Sequence, residues 1–514
     1  MDDQGYRAGA LAGQHMRAVE RLAPHRLAPG WADRAANGLF YKSPALSAKS
    51  GLTAMQRRAG LATLAVGPVL ILWAPGVMWT ALQLVAASVF LVMILFRLAA
   101  AAWCARPEPS VMPDEARLPV FTILAPVYRE AAVLPQLTRA LASLDYPPGR
   151  LDIKIIMEAD DHETIQAARQ LVFDSRFEIV IVPEGTPRTK PRALNYALTF
   201  ARGDIVTVYD AEDVPHPGQL RAAAAAFLAG NEKLGCVQAP LNWYNHDSNW
   251  LTRQFAIEYA VQFRAILPLL ARLGLPLPLG GTSNHFRREA LEAAGGWDAY
   301  NVTEDADLGF RLARLGYRSG VITPPTLEEA PEHTSPWIRQ RSRWLKGYIQ
   351  TLAVHLRHPS ALSPGAAFSL AMTIGTATMS ALLHGPAIIA LTGLAASGMI
   401  RLTLPAAGFL CLGYAASMVC GVAAIHRAGL QTRCIDVARI PLYWPLQTIA
   451  AIIALVELRI RPYFWAKTEH GFTRAPEPEC RCPLPSPSLS SRPVPLSFPP
   501  GRPARNPIRQ KVRA

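Results

Sequence analysis

The sequence predicts an α/β domain, a mostly parallel sheet with helices on both faces, inserted between α-helical transmembrane segments. Three observations predict it. Over residues 118–358, short β-rich runs alternate with helical stretches. Two long apolar regions, 58–105 and 366–460, flank that stretch. Clusters of acidic residues fall directly after strands, at the sheet edge where open α/β folds bind ligands.

Half of the 514 residues are hydrophobic, yet the chain carries 52 Lys and Arg against 38 Asp and Glu, a net charge of +14. Apolar blocks joined to a basic excess match a membrane protein with basic cytoplasmic loops and displace nucleic-acid binding as a reading. The sequence has neither a dinucleotide-binding glycine fingerprint nor a Walker A box. Its seven cysteines, at 104, 236, 411, 420, 434, 480 and 482, are not paired with histidines at metal-site spacing. A zinc site is therefore not expected, and a reduced, cytosolic setting is.

Residues 1–57 are polar and arginine-bearing, with no apolar core of a cleavable signal peptide. They are expected to form a cytosolic basic arm, partly disordered. The apolar run 58–105 breaks at Ala74-Pro75-Gly76, giving two transmembrane helices with Arg57, Arg58 and Arg106 on the cytoplasmic side. Within 118–358, the stretches 120–125, 153–157, 179–182 and 205–209 are β-branched and apolar and predict strands. Between them, 132–144, 164–172 and 192–201 have helical periodicity.

The region 366–460 is expected to mix transmembrane and interfacial helices. Its first run, 366–400, is longer than one span and can open with an interfacial helix ending at His384-Gly385-Pro386. A crossing at 404–425 follows. The run 440–458 holds Pro441, Pro445 and Glu457 and lies between two basic stretches, so it predicts an interfacial helix with Trp444 and Trp465 at headgroup depth. A spanning helix is the alternative. Residues 475–514 are Pro-, Ser- and Arg-rich and predict a disordered tail.

Three boxes carry the chemistry. Asp210-Ala211-Glu212-Asp213 follows the fourth strand. Carboxylates at alternate positions can converge on one hard cation, Mg2+ or Mn2+, which would neutralise a diphosphate leaving group. The competing reading makes Asp213 a helix cap and leaves the other acids to water. Thr303-Glu304-Asp305-Ala306-Asp307 opens a helix. Thr303 can cap it while the acids favour its dipole, and Asp305 can also serve as a general base. Gln340-Arg341-Ser342-Arg343-Trp344 lies on a helix, where Arg343 can clamp a diphosphate and Trp344 can stack on a sugar. A basic, aromatic helix on the membrane surface has the same pattern. Lys190 opens a further helix near the phosphates, and Gly280 and Gly281 let backbone approach a ligand closely.

Together these boxes, with Pro126-Val127-Tyr128-Arg129-Glu130, resemble the family 2 glycosyltransferases, especially their membrane-embedded, cellulose-synthase-like branch. The resemblance covers roughly 120–347, and a later stretch, 465–471, is similar to one that follows the last helix in part of that branch. It implies a GT-A fold, a UDP-sugar donor, a divalent metal and inversion at the anomeric carbon. It also implies roles. Asp210 and Glu212 are similar to the metal-binding Asp-x-Asp, and Asp305 to the catalytic base beside Glu304. Gln340, Arg343 and Trp344 match the residues that hold the diphosphate and the acceptor's terminal sugar. Pro126, Tyr128 and Glu130 fall at the uridine pocket, with Lys190 near the phosphates. The family's Asp-Asp pair after the second strand is replaced by Glu158-Ala159-Asp160-Asp161, so either Glu158 or Asp160 takes the nucleotide contact.

The expected enzyme is a multi-pass inner-membrane protein with a cytoplasmic catalytic domain. It would move sugar from a UDP-sugar donor to a growing polysaccharide, with export or periplasmic partner proteins. Transfer of one sugar to a lipid acceptor, or a non-catalytic nucleotide-sugar-binding subunit, are the alternatives. No nucleic acid partner is expected.

Overall fold

The structure is a computed structural model that describes residues 30–103, 114–171, 174–399 and 403–464. A seven-stranded sheet forms its centre. Its strands are β1 (Phe121–Val127), β2 (Leu151–Glu158), β3 (Phe177–Val182), β4 (Ile205–Val208), β6 (Leu234–Gln238), β8 (Asn284–Arg287) and β9 (Arg318–Val321). The order is β3-β2-β1-β4-β8-β6-β9. Strands β1 to β4 run parallel, β8 is antiparallel to both β4 and β6, and β6 is parallel to β9. All eight residues of β2 are buried, as expected where helices cover both faces. Strand order reverses at β1, which pairs with β2 on one side and β4 on the other. That arrangement opens a crevice beyond the carboxyl ends of β1 and β4. A second sheet, β5 (Val214–Pro215), β10 (Thr326–Glu328) and β7 (Leu241–Trp243), has the order β5-β10-β7.

Among the described residues, four helices are long and apolar enough to cross a membrane: Pro75–Ala102, Pro364–Ala396, Leu404–Ala428 and Ile440–Ile460. The helix Ala54–Trp73 precedes the first of them and breaks from it at Ala74, with Gln56, Arg57 and Arg58 in its opening turn. One sequence expectation changes here. No interfacial helix ends at His384: Pro364–Ala396 runs on through Pro386, and a π-helical turn at Ala371–Gly375 is its only irregularity. Ile440–Ile460 is one uninterrupted helix, which suits the interfacial and the spanning reading alike. Pro441 sits in its first turn, where no N–H is needed, and Pro445 is accommodated inside it.

The part of the amino-terminal arm that is described is ordered. Trp31–Lys42 is a helix, and two short 3₁₀ turns follow it. Buried Asp298 accepts from the Ser47 hydroxyl (3.0 Å) and the Ala48 N–H (2.6 Å), and Arg357 donates to the carbonyls of Ala45, Ser47 and Gly51. These groups satisfy the arm's backbone and hold it on the α/β domain. Trp465, the 465–471 stretch, the tail 475–514 and residues 1–29 of the arm lie outside the described residues.

Candidate active site

The carboxyl ends of the parallel strands, the turn before the helix Glu304–Arg314, and the helix Thr334–His355 converge on one cavity of about 870 Å³. Pro126, Tyr128 and Glu130 reach it from the end of β1, and Glu158 from the end of β2. Asp210 and Glu212 follow β4, and Lys190 opens the helix Lys190–Leu198. Glu304, Asp305, Gln340, Arg343 and Trp344 complete the set.

Asp160 is the one predicted residue that does not line the cavity. Its carboxylate instead accepts from the Tyr128 hydroxyl (3.2 Å) and from Arg188 (2.7 Å). Tyr128 and Arg188 both line the wall, so Asp160 stands one step behind it. Glu158 reaches the wall but is held by Arg192 at 3.1 Å. Burial pushes the Glu158 carboxyl up, and Arg192 opposes that.

The first acidic box forms a closed turn. Asp213 accepts from the Asp210 N–H (2.7 Å) and from the Thr282 hydroxyl. It caps no helix: the next one, Gln219–Ala229, begins after Gly218. The capping reading of Asp213 is therefore replaced by a turn-closing role. Asp210 is ion-paired with Lys190, which also donates to the Gly281 carbonyl (2.7 Å). Burial works against the Lys190 ammonium, but Asp210 and Glu304 outweigh it and hold it charged. Burial, then the charges of Asp210 and Glu212, push Asp213 well above the usual carboxylate range.

A divalent cation fits this corner. Asp210 and Glu212 offer oxygens, and Oδ1 of the buried Asp213 in the same turn has no hydrogen-bond partner among the described residues. Lys190 pairs with Asp210 alone among these acids, which leaves room for a further cation at the box. No three His, Cys, Asp or Glu side chains among the described residues are gathered closely enough to hold a metal alone. Diphosphate oxygens and water would supply the remaining ligands, as is usual for Mg2+.

The second box opens the helix Glu304–Arg314, with Glu304, Asp305 and Asp307 in its first turn. The Thr303 side chain makes no capping bond to it. Asp305 faces the cavity, and its Oδ1 accepts the Ala306 N–H at 2.7 Å. Burial pushes the Asp305 carboxyl up to about 6, against Lys190 and Arg343, which lower it. Burial and then Asp305 push Glu304 up to about 7. A Cβ on Gly281 would sit 3.3 Å from Asp305 Oδ2, so glycine there leaves room at the carboxylate.

Trp344 packs beside Phe255 and Tyr259, with ring centroids 5.9 and 6.1 Å away. The Arg341 guanidinium lies 4.6 Å from the Trp344 ring and donates twice to Glu258, at 2.6 Å each. Tyr443, from the helix Ile440–Ile460, donates to Glu258 (2.8 Å) and accepts from Trp337 Nε1 (3.1 Å). Sequence reasoning missed Arg188, Glu258, Glu328 and Tyr443. Their partners are remote in the chain, and no spacing marks them.

Residues 119–347 match the family model described as "Glycosyltransferase like family 2". The chain is 29% identical over 236 residues to the probable glycosyltransferase YdaM of Bacillus subtilis, covering 45% of this chain and 55% of that one. It is 28% identical over 250 residues to the β-monoglucosyldiacylglycerol synthase of Trichormus variabilis, covering 48% and 52%. Similarity to the UDP-forming cellulose synthase catalytic subunit of Komagataeibacter sucrofermentans is 26% over 254 residues, covering 48% and 33%. The chain thus spans about half the length, or less, of these curated relatives. Among solved structures, the mannosyltransferase PcManGT from Pyrobaculum calidifontis, in complex with GDP-Man and Mn2+, matches with a TM-score of 0.50 at 23% identity. That match covers 72% of this chain and 96% of the other, and the likeness is one of fold.

Proposed function

Residues 119–347 are a family 2 glycosyltransferase domain, and on that premise we propose that the chain moves a sugar, glucose first, from a UDP-sugar to the growing end of a β-linked polysaccharide. The observation that carries this reading is the single cavity, which extends from Asp210 and Asp305 to side chains of the membrane helices. Its membrane part is lined by Thr376, Ser380, His384, Tyr414, Ser417, Trp444 and Gln447. The Tyr414 and Trp444 rings are stacked, 5.6 Å apart at 21°. Aromatic faces, hydroxyls and an amide suit the apolar faces and hydroxyl rims of sugar rings.

Asp305 takes the proton of the acceptor hydroxyl. The freed oxygen attacks the anomeric carbon, the bond from that carbon to the diphosphate oxygen breaks, and UDP leaves with the electron pair. Lys190 and Arg343 place positive charge where the diphosphate develops it. A divalent ion held by Asp210 and Glu212 would neutralise the same group. Pro126, Tyr128 and Glu130 hold the uridine, with Glu158 in the wall and Asp160 behind Tyr128. Gln340 and Trp344 hold the acceptor's end, with Glu304 beside the base. With a cytoplasmic UDP-sugar as donor, this reading sets the domain at the cytoplasmic face of the inner membrane and leaves onward transport to partner proteins.

A lipid acceptor is the second reading. It is favoured by the likeness to a β-monoglucosyldiacylglycerol synthase and by Phe90, Met93, Ile94 and Leu410 in the same lining. Membranes containing the protein, given radiolabelled UDP-glucose and Mn2+, separate the two. Label retained in a high-molecular-weight, β-glucanase-sensitive fraction supports the polysaccharide. Label found solely as a solvent-extractable lipid with one sugar removes it.

A further inference from the structure

Glu328 closes β10, and its main-chain carbonyl accepts the Tyr244 N–H at 3.0 Å. Its side chain lines the cavity, yet the residue is only 8% exposed. Oε1 is buried, and no group among the described residues donates to it. A buried acceptor left without a donor costs about 1–3 kcal/mol, so an orphaned carboxylate oxygen calls for an explanation in a ligand.

The strand beneath it is locked. Thr326 takes hydrogen bonds from Ser283 (2.6 Å) and Gln219 (3.0 Å). Asp213, Glu212, Asp210 and Lys190 are within electrostatic reach of Glu328, and so is Tyr259, which packs beside Trp344. Glu328 therefore shares one cavity with the groups assigned to the diphosphate and with those assigned to the acceptor's end, and the transferred ring must lie between those two sets.

We propose that Glu328 is a donor-sugar ligand, its carboxylate accepting hydrogen bonds from hydroxyls of the transferred ring and thereby setting which sugar is used. The assignment rests on the glycosyl-transfer reading above. The chemistry is selective because a rigid, buried acceptor rewards a hydroxyl in the right place and is left unpaired by an epimer or a deoxy ring, a difference that reaches ~10⁴-fold in well-built sites.

The test uses the full-length protein in vesicles, with UDP release measured for UDP-glucose, UDP-galactose, UDP-xylose and UDP-N-acetylglucosamine. Glu328→Ala should lower kcat/KM for the preferred donor by roughly tenfold or more and flatten the preference among the four. Glu328→Gln, which keeps one acceptor oxygen and the shape, should fall between. UDP affinity and the Mn2+ concentration for half-activation should stay within about twofold, which also reports a folded site. An unchanged ranking of donors in a variant that still binds UDP overturns the proposal. So does an intact ranking with a tenfold higher Mn2+ requirement, which would make Glu328 a metal ligand. A wild-type protein that binds UDP but consumes none of the four sugars would remove the transferase reading itself, and this assignment with it.

Discussion

Each acidic box contains one carboxylate that is wholly buried, Asp213 in the first and Asp307 in the second. The two are satisfied in opposite ways. Among the described residues Asp213 has only neutral donors, the Asp210 N–H and the Thr282 hydroxyl, while burial first and then like charges push its carboxyl up. Asp307 lies between Arg311 at 2.6 Å and the His355 ring at 3.0 Å. These outweigh burial and hold its carboxyl below the ordinary range. The first box is thus an anionic corner that gains from an added cation. The second is internally neutralised at Asp307 and keeps its reactive acid, Asp305, two residues away on the cavity side. Similar strings of acids in a sequence therefore support different work, and the neighbours decide which.

This contrast can be broken at several points. Asp305→Asn should reduce transfer by about 10³-fold, within the range for a lost general base, with UDP affinity retained. Full turnover in that variant would remove the base assignment. Asp307→Ala should act on stability instead. Removing one partner of a buried ion pair costs about 3–5 kcal/mol, read as a lower Tm, while the folded fraction keeps its KM for the donor.

Glu212→Gln should raise the Mn2+ needed for half-activation about tenfold and leave Tm unchanged; an unaltered Mn2+ requirement would exclude it from the metal corner. The smallest effects concern pH. Asp305 and Glu304 have raised values in the fold, about 6 and about 7. Their contribution to stability is present below the unfolded values near 4 and is lost as pH rises through those folded values. Asp307, with a lowered value, contributes above its unfolded value, and that contribution fades as the solution is acidified through the folded one. Asp305→Asn should accordingly raise Tm slightly at pH 8 and not at pH 4. In the wild type, kcat/KM should fall with unit slope below about pH 6 as the base protonates.

Much of the fold was legible because β1 to β4 are rich in β-branched and apolar residues and alternate with helical stretches. Strands β6 and β8, Leu-Gly-Cys-Val-Gln and Asn-His-Phe-Arg, carry too few β-branched residues to announce themselves. Nothing local reveals that β8 inserts antiparallel between β4 and β6. The site residues were legible as a set of boxes in order, and of the thirteen singled out as site residues from the sequence all but Asp160 line the cavity. Asp160 against Glu158 could not be decided from sequence, because the outcome depends on Arg188 and Arg192 reaching back from another segment. Glu328 was invisible for a related reason: a three-residue strand holding an acid looks like loop until its neighbours are in place. The prolines of 440–458 leave the helix unbroken, one of them in its first turn, where no N–H is needed.

Gln350 accepts the Val302 N–H, just before the base-bearing turn, at 3.1 Å and donates to the Pro462 carbonyl, just beyond the last membrane helix, at 3.0 Å. Four residues earlier, Lys346 grips Glu457 and the Phe464 carbonyl, each at 2.8 Å. A side chain at Gly347 would strike Thr303, so this rod bears directly on the reactive turn. Anchor and chemistry share one beam. A tilt imposed by a thinner or thicker bilayer would be felt at Asp305, and a catalytic half cut free of its helices would lose the strut that aligns it.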